Sequence, residues 1–330
     1  MNHSPLGLKL SKALSGFLQY KTAESLSPNT LLTYEHYVKV WLAHTGDKDL
    51  SEFTTADLRE FLAWLRTEYK PGRFNGSTAP LSPKSLRNTW VALCSFWTWA
   101  STEFKLPNPM KGIPAPRFEF PPIEPFTKEE VEKLLKAAEY CREANTERRK
   151  KFSMRRSTAR RDRAIILFLL DTGLRANELC SLTIADLDPK TGRVQVKHGT
   201  LGGAKGGKGR FVYLGKAGRN AMWRYLADRE DGEDPQAPLF CDRLNRAIKK
   251  DHLRQLLHYM GKRAAVQKTY PHKFRHTFAI TYLRNGGDLF TLQSLLGHSS
   301  LEMVQHYARI AEVDVEQMHR RASPADNWHL

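Results

Sequence analysis

The residues best suited to chemistry in this 330-residue chain stand in a fixed order, and most of them lie near its carboxyl end. Arg175 comes first, His272 and Arg275 follow, and His298 and Tyr307 come last, nine residues apart. Two arginines can fork onto the non-bridging oxygens of one phosphodiester, because a guanidinium matches phosphate geometry bidentately. Histidines can donate hydrogen bonds or move protons, and a tyrosine can attack phosphorus to form a covalent intermediate. Together these residue types predict cleavage of DNA without a metal ion.

Taken singly, each of these residues also fits an ordinary structural role. His272 and Arg275 could lie on the solvated edge of an amphipathic helix, and Tyr307 could be a half-buried core aromatic. The order and spacing of the whole set argue against that interpretation.

The set resembles the catalytic domain of the tyrosine recombinases, the phage-integrase and Xer-like family. The matching segments are Thr172 to Arg175 with Glu178, Pro271 to Ala279, Leu296 to Ser300, and Tyr307. The resemblance covers roughly residues 126 to 315. It implies a mainly α fold with a small β-hairpin or sheet (α+β), arranged as a two-domain C-shaped DNA clamp in which a helical core-binding domain precedes the catalytic domain.

In that interpretation Arg175 and Arg275 hold the scissile phosphate, and His298 adds a third hydrogen bond to it. His272 assists proton movement at Tyr307, which attacks in line to give a 3′-phosphotyrosyl link and a free 5′-hydroxyl. Neither a cofactor nor a metal is expected. A supporting residue, Glu178, is expected to orient neighbouring groups rather than react.

The family also implies a catalytic lysine on a β-hairpin. Residues 194–196 and 210–214 are typical of strands, and they flank a Gly-rich segment that carries lysines. Lys205 is the best match, although Ala204 stands where the family usually has glycine. Lys208 remains an alternative.

Composition points to a nucleic-acid partner. Fifty-two Lys and Arg against 35 Asp and Glu give a formal charge of +17, which suits a polyanion better than a membrane surface. The four cysteines have no paired spacing, so we expect reduced thiols in a cytoplasmic, nucleoid-associated protein rather than disulfides or a zinc site. No signal-peptide pattern is present, and the apolar run from Ala164 to Leu170 is too short to cross a bilayer.

The chain length suits two domains. Residues 1–106 predict a DNA-binding bundle of helices, with starts at Ser27-Pro28, at Thr54 or Thr55, and at Ser82-Pro83. Seven prolines between residues 107 and 125 predict an extended linker. Residues 126–330 form the predicted catalytic domain with a C-terminal tail, and its first helix starts at Thr127.

Polar faces of the helices are the expected DNA contacts. By analogy with the family, the candidates in the first domain are Asn29, Thr30, Thr33, Lys84, Arg87 and Asn88. Residues 142–163 hold ten basic residues against three acids, and Arg155 and Arg156 are candidate contacts there. A solvated face is the equal alternative for that segment.

The predicted activity is site-specific recombination of double-stranded DNA sites by a homo-tetramer, through sequential strand exchange and a Holliday junction. The segment from Ala308 to Arg321 packs on a neighbouring subunit in this interpretation, or on its own domain in the alternative. The extra basic segment and the longer hairpin favour integration or excision of a mobile element, with accessory or directionality factors as further partners. Alternatives are Xer-type dimer resolution, type IB topoisomerase-like relaxation, and a non-cleaving DNA-binding accessory protein.

Overall fold

A computed structural model describes residues 7–72, 77–119, 122–141, 152–197, 209–297, 302–311, 319 and 323–328. The described residues are mainly helical, with one two-stranded antiparallel sheet among them, which confirms the predicted fold class. Lys205, Lys208 and His298 lie outside the described residues, as do residues 142–151 of the basic segment. The chain divides into two compact units, residues 1–121 and residues 122–330.

The first unit is helical because its sequence supplies helix starts at regular intervals. Its α-helices are α1 (Leu10–Ala23), α2 (Pro28–Thr45), α3 (Thr55–Thr67) and α4 (Pro83–Phe104), with a 3₁₀ turn at Leu50–Glu52. Ser27, Thr54 and Ser82 each accept a backbone N–H of the first turn, as N-cap side chains do. These three predicted starts are confirmed. The helices bury a core rich in aromatic side chains, including Trp41 and Trp97.

The second unit contains the sheet and the remaining helices. Its α-helices are α5 (Lys128–Glu139), α6 (Ala159–Thr172), α7 (Ala176–Cys180), α8 (Lys216–Leu226), α9 (Lys250–Ala264), α10 (Pro271–Arg284), α11 (Leu289–Leu296) and α12 (Glu302–Ala311), and short helical turns lie at Ile184–Asp186 and Pro324–Asn327. Strands β1 (Arg193–Val196) and β2 (Arg210–Tyr213) pair antiparallel, with Val194 opposite Val212. The predicted hairpin strands and the start of α5 at Thr127 are therefore confirmed.

Helix α6 lies at the centre of this unit, and Ile165, Ile166 and Phe168 on it are fully buried. It ends at Gly173, whose φ of +61° is a left-handed conformation that only glycine adopts at little cost. A Cβ at this position would also collide with the ring of Phe278. The glycine lets the chain turn sharply, and Arg175 follows at the start of α7.

A second apolar cluster joins α10, α11 and α12. Its members are Ala279, Ile280, Leu283, Leu292, Leu296, Val304, Tyr307 and Ala311. Because Tyr307 belongs to this cluster, packing among the three helices fixes the phenol against α10. Among the described residues, no helix has the length and apolar character needed to cross a membrane.

Candidate active site

Arg175 is positioned by a carboxylate one turn further along the chain. Glu178 accepts the backbone N–H of Arg175 at 2.8 Å, and its other oxygen accepts from Arg175 Nη1 at 3.0 Å. The Arg175 side chain is 36% exposed. This guanidinium is therefore held on one side and open to solvent on another, as a phosphate ligand would need to be.

Glu178 is only 4% exposed, and its carboxylate binds Arg210 as well as Arg175. Arg210, on β2, donates Nη1 to Glu178 Oε1 at 3.0 Å and Nη2 to Oε2 at 2.9 Å. Burial alone would raise the pKa of Glu178, but the hydrogen bonds and charges of Arg210 and Arg175 lower it below its usual value. The carboxylate consequently stays ionised between the two arginines.

Arg210 was not among the sequence candidates. Besides binding Glu178, its Nε donates to the carbonyl of Leu295 at 2.7 Å, near the end of α11. One side chain thus joins the hairpin, the turn that carries Arg175, and the helix that precedes His298. In the sequence Arg210 is one more cation of a basic chain, and only its place at the start of a predicted strand sets it apart.

Arg275 lies deeper, with 1% of its surface exposed. It donates from Nη1 to the carbonyl of Gly173 at 2.9 Å and from Nη2 to the carbonyl of Leu296 at 2.8 Å. Burial, together with the charge of Arg175, lowers the pKa of Arg275 to about 9. An anion bound beside the two guanidiniums would offset both effects.

Tyr307 is fully buried, and its phenol is hydrogen-bonded to His276, which was not among the residues predicted for the site. The atoms His276 Nδ1 and Tyr307 Oη lie 2.8 Å apart. The predicted histidine, His272, packs edge-on against His276, with 4.4 Å between the ring centroids. Burial raises the pKa of Tyr307, whereas the charges of Arg275 and Arg175 act to lower it. The phenol therefore lies within the electrostatic field of both arginines.

A pocket of about 590 Å³ opens beside Arg175 and His272. Its lining residues are Arg175, Ala176, Asn177, Lys250, Arg254, His258, Lys268, Thr269, Tyr270, Pro271 and His272. None of these described lining residues is acidic, so the pocket suits a polyanion. Lys250 and Arg254, one turn apart on α9, contribute positive charge to this lining.

The predicted DNA contacts differ in how much the fold already uses them. Asn29, Thr33, Lys84, Arg87 and Asn88 are exposed. Arg87 donates to the carbonyl of Pro116 at 3.2 Å, and Thr33 to the carbonyl of Asn29 at 2.7 Å. Thr30 is half-buried and belongs to the cap of α2, where its hydroxyl lies 2.8 Å from that of Ser27.

The two arginines of the basic segment also differ. Arg155 is exposed, whereas Arg156 is half-buried and bonds Asp162 at 2.7 Å and the carbonyl of Ala138 at 3.0 Å. The fold thus uses the Arg156 guanidinium internally, and Arg155 is the one that faces solvent.

The structure brings five of the sequence candidates into one region: Arg175, Glu178, His272, Arg275 and Tyr307. Two guanidiniums, an ionised carboxylate behind them, a phenol bound to an imidazole and a basic pocket form a set able to bind a phosphodiester and deliver a nucleophile to it. His276 and Arg210 complete that set.

Two family models match the chain. The model described as the phage integrase family matches residues 124–313, and the model described as the phage integrase N-terminal SAM-like domain matches residues 14–104.

Individual proteins are similar over nearly the whole chain. The tyrosine recombinase XerA of Thermococcus kodakarensis is 30% identical over 319 residues, covering 94% of this chain and 95% of that protein. Among solved structures, the Tn1549 transposon integrase in complex with circular intermediate DNA has a TM-score of 0.70 at 20% identity, covering 91% of this chain and 95% of the other. The XerH recombinase bound to a palindromic difH substrate has a TM-score of 0.66 at 21% identity, covering 99% and 100%.

Proposed function

Because this chain belongs to the phage integrase family of tyrosine recombinases, we propose that it cleaves and rejoins specific double-stranded DNA sites through Tyr307. The observation that carries the proposal is a chain of contacts from Tyr307 to the basic pocket: Tyr307 Oη lies 2.8 Å from His276 Nδ1, the His276 ring packs on His272, and His272 lines the pocket together with Arg175. An in-line attack on a phosphodiester requires a nucleophile that is held close to the groups that bind the phosphate.

The guanidiniums of Arg175 and Arg275 bind the non-bridging oxygens of the scissile phosphate and stabilise the charge that builds on them. Glu178 and Arg210 position Arg175 from behind. A guanidinium has several N–H groups, so Arg275 can hold its two backbone carbonyls and still donate to phosphate. His298 adds a further hydrogen bond to the phosphate.

Tyr307 Oη forms a bond to phosphorus while the bond to the 5′-oxygen breaks, which gives a 3′-phosphotyrosyl intermediate. Lys205, or alternatively Lys208, protonates the leaving 5′-oxygen, and His272 assists proton movement at the tyrosine. The intermediate conserves the energy of the phosphodiester. A 5′-hydroxyl from a partner strand can therefore rejoin the chain without a cofactor, through a Holliday junction in a tetramer on DNA.

Unit 1 is the DNA-binding domain in this proposal, and the match of residues 14–104 to the N-terminal SAM-like domain supports that role. Its contacts are the exposed candidates Asn29, Thr33, Lys84, Arg87 and Asn88. Arg155 adds a contact from the catalytic domain. The segment from Ala308 to Arg321 joins neighbouring subunits of the tetramer.

For the biological role we propose integration or excision of a mobile element, on the basis of the extra basic segment and the long hairpin. The second candidate is Xer-type resolution of chromosome dimers, which the near full-length match to XerA favours. Recombination assays on paired sites, one set from element ends and one from a dimer-resolution sequence, separate the two roles.

A trapping assay tests the chemistry. Wild type and Tyr307→Phe are incubated with nicked duplexes bearing candidate sites and run on a denaturing gel. We expect a covalent protein–DNA band that only the variant loses, while both proteins bind the duplex equally. Binding without an adduct across the sites would overturn the proposed cleavage in favour of a non-cleaving DNA-binding role. On supercoiled plasmids that carry the same sites, relaxation with no recombinant product would indicate a topoisomerase-like activity.

A further inference from the structure

Two histidines on α10 lie between the basic pocket and the nucleophile. His272 is exposed and lines the pocket, and His276, one turn further along, is half-buried. Their rings touch edge-on, with 4.4 Å between centroids. The Nδ1 atom of His276 lies 2.8 Å from Tyr307 Oη, a distance at which a proton can pass between them.

The charge state and the tautomer of His276 together decide in which direction that hydrogen bond runs. Burial, followed by the charges of His272, Arg275 and His306, lowers the pKa of His276 to about 4. At neutral pH the ring is therefore uncharged, and a neutral imidazole has one nitrogen that accepts and one that donates. Burial raises the pKa of Tyr307, so the phenol keeps its proton. In the tautomer with its proton on Nε2, Nδ1 of His276 accepts and the tyrosine O–H donates.

We propose that His276 is the general base for the nucleophile: its Nδ1 takes the phenolic proton as Tyr307 attacks phosphorus, and returns it when the strand is rejoined. The inference rests on the proposed function and assigns a catalytic role to a residue outside the set Arg175, Lys205, His272, Arg275, His298 and Tyr307.

The step balances. In cleavage the O–H bond of Tyr307 breaks, its proton passes to His276, the bond from Oη to phosphorus forms and the bond from phosphorus to the 5′-oxygen breaks. The 5′-oxygen takes a proton from the lysine proposed above. In religation the 5′-hydroxyl attacks phosphorus and returns its proton to that lysine, the bond from phosphorus to Oη breaks, and His276 gives its proton back to Oη. No oxidant or other co-reactant is required.

The surroundings explain why a weak base suffices. Arg275 and Arg175 both favour a negative oxygen on Tyr307, which makes the phenol easier to ionise as the attack begins. The second negative charge that develops on the phosphate in the transition state offsets the repulsion between an imidazolium at position 276 and Arg275. The proton therefore moves only when the phosphate is in place.

The test is single-turnover cleavage of the nicked duplex by wild type, His276→Gln and His276→Ala. Glutamine keeps a hydrogen-bonding side chain but cannot take up the proton. We expect both variants to form the adduct about 100- to 10,000-fold more slowly while binding the duplex with unchanged affinity. His306→Gln, next to Tyr307 on α12, is the matched control and should stay within a few-fold of wild type.

A second readout separates a base from a residue that only holds the phenol. Without His276 the phenol must ionise into solvent, so the rate of His276→Ala should rise about tenfold per pH unit, and added imidazole should restore it. Circular dichroism checks that each variant is folded, and His276→Gln carries the test if the alanine variant is not.

Adduct formation by His276→Gln at or above the wild-type rate would overturn the role of His276 and leave cleavage by Tyr307 intact. A slow His276→Ala with neither the pH slope nor rescue by imidazole would reduce His276 to a positioning residue and also overturn the proposal. Absence of an adduct with wild type would instead overturn the proposed function, so the two failures are distinguishable.

Discussion

At the scale of single residues, burial acts in opposite directions on the two partners of the Tyr307–His276 pair. It disfavours the phenolate of Tyr307 and raises its pKa, and it disfavours the imidazolium of His276 and lowers its pKa. Both effects keep the pair neutral, with the proton on the phenol. The proton then moves only when a substrate phosphate is bound, so Tyr307 does not ionise in the absence of DNA.

The depressed pKa of His276 predicts how stability responds to acid. Its pKa is about 4 in the folded protein against an ordinary 6.5, so the unfolded chain binds the proton first as the pH falls. The stabilising contribution is fully present above pH 6.5 and is lost as the pH falls from there towards 4. Lowering the pH from 7 to 5 should therefore reduce the unfolding free energy of wild type more than that of His276→Gln. Urea titrations at the two pH values measure this, and equal losses in both proteins would contradict it.

At the scale of secondary-structure elements, one buried ion pair joins segments that are far apart in the sequence. Glu178 follows the turn after α6, and Arg210 begins β2, 32 residues later. Both side chains are largely buried, at 3% and 13% exposure. Because Arg210 also bonds the end of α11, this pair fixes the position of the hairpin relative to Arg175.

We expect Arg210→Met to destabilise the protein by about 3 kcal/mol, the lower end of the range for breaking a buried pair, since Glu178 keeps Arg175 as a partner. Adduct formation should also slow, because Arg210 no longer fixes the position of Glu178, the carboxylate that holds Arg175. Arg246→Met is the matched control: Arg246 is 70% exposed in its pair with Asp242, so its loss should cost less than about 1 kcal/mol. Chemical denaturation measures the unfolding free energy of the two variants. Equal losses would show that the buried Glu178–Arg210 pair stabilises the protein no more than an exposed pair does.

The turn after α6 allows a similar comparison. Gly173→Ala introduces both a left-handed φ for a residue with a side chain and a methyl group against Phe278. Gly46→Ala introduces a positive φ without a collision, since φ there is +76° and nothing lies within 4 Å of the new methyl. Because ψ is 171° at Gly46 and 22° at Gly173, the backbone strain differs: about 1 to 3 kcal/mol at Gly46 and about 1 to 2 kcal/mol at Gly173. Overpacking adds about 1 to 3 kcal/mol at Gly173 alone. Thermal melts of both variants test this, and a smaller loss of stability for Gly173→Ala than for Gly46→Ala would exclude a steric role for Phe278.

Local rules explain which elements could be predicted from sequence. The starts of α2, α3 and α4 follow from serine or threonine caps that act within three residues. The hairpin strands follow from two short runs rich in valine and aromatic residues that flank a Gly-rich segment. The Arg210–Glu178 pair and the bond from His276 to Tyr307 depend on which distant segments pack together, and no local pattern encodes that. The motif identified Tyr307, Arg175 and the supporting Glu178, whereas the contacts of Arg210 and His276 with these residues became visible only with the fold.

At the scale of the whole molecule, both units are basic, and most of the formal charge of +17 lies on unit 2, which carries +13 against +4 on unit 1. Unit 1 exposes Lys84 and Arg87 on α4, and unit 2 exposes Arg254 and Lys268 beside its pocket. A protein that neutralises phosphates releases condensed counterions, so its DNA affinity falls as salt rises. The number of phosphate contacts can therefore be counted from solution measurements alone.

The two kinds of residue proposed for α4 should behave differently in such measurements. If Lys84 binds a phosphate, Lys84→Gln should weaken binding to every duplex and reduce the slope of log affinity against log salt by about 0.9. If Asn88 reads a base edge, Asn88→Ala should leave that slope unchanged and reduce the preference for the cognate site over a mutated one.

Lys39→Gln is the control lysine, since Lys39 is exposed on α2 but paired with Glu35, and its slope should match wild type. Fluorescence anisotropy between 50 and 200 mM salt, a range of about fourfold over which such slopes resolve, provides all three values. A wild-type slope for Lys84→Gln would remove Lys84 from the phosphate contacts and leave Arg87 as the remaining basic contact proposed on α4.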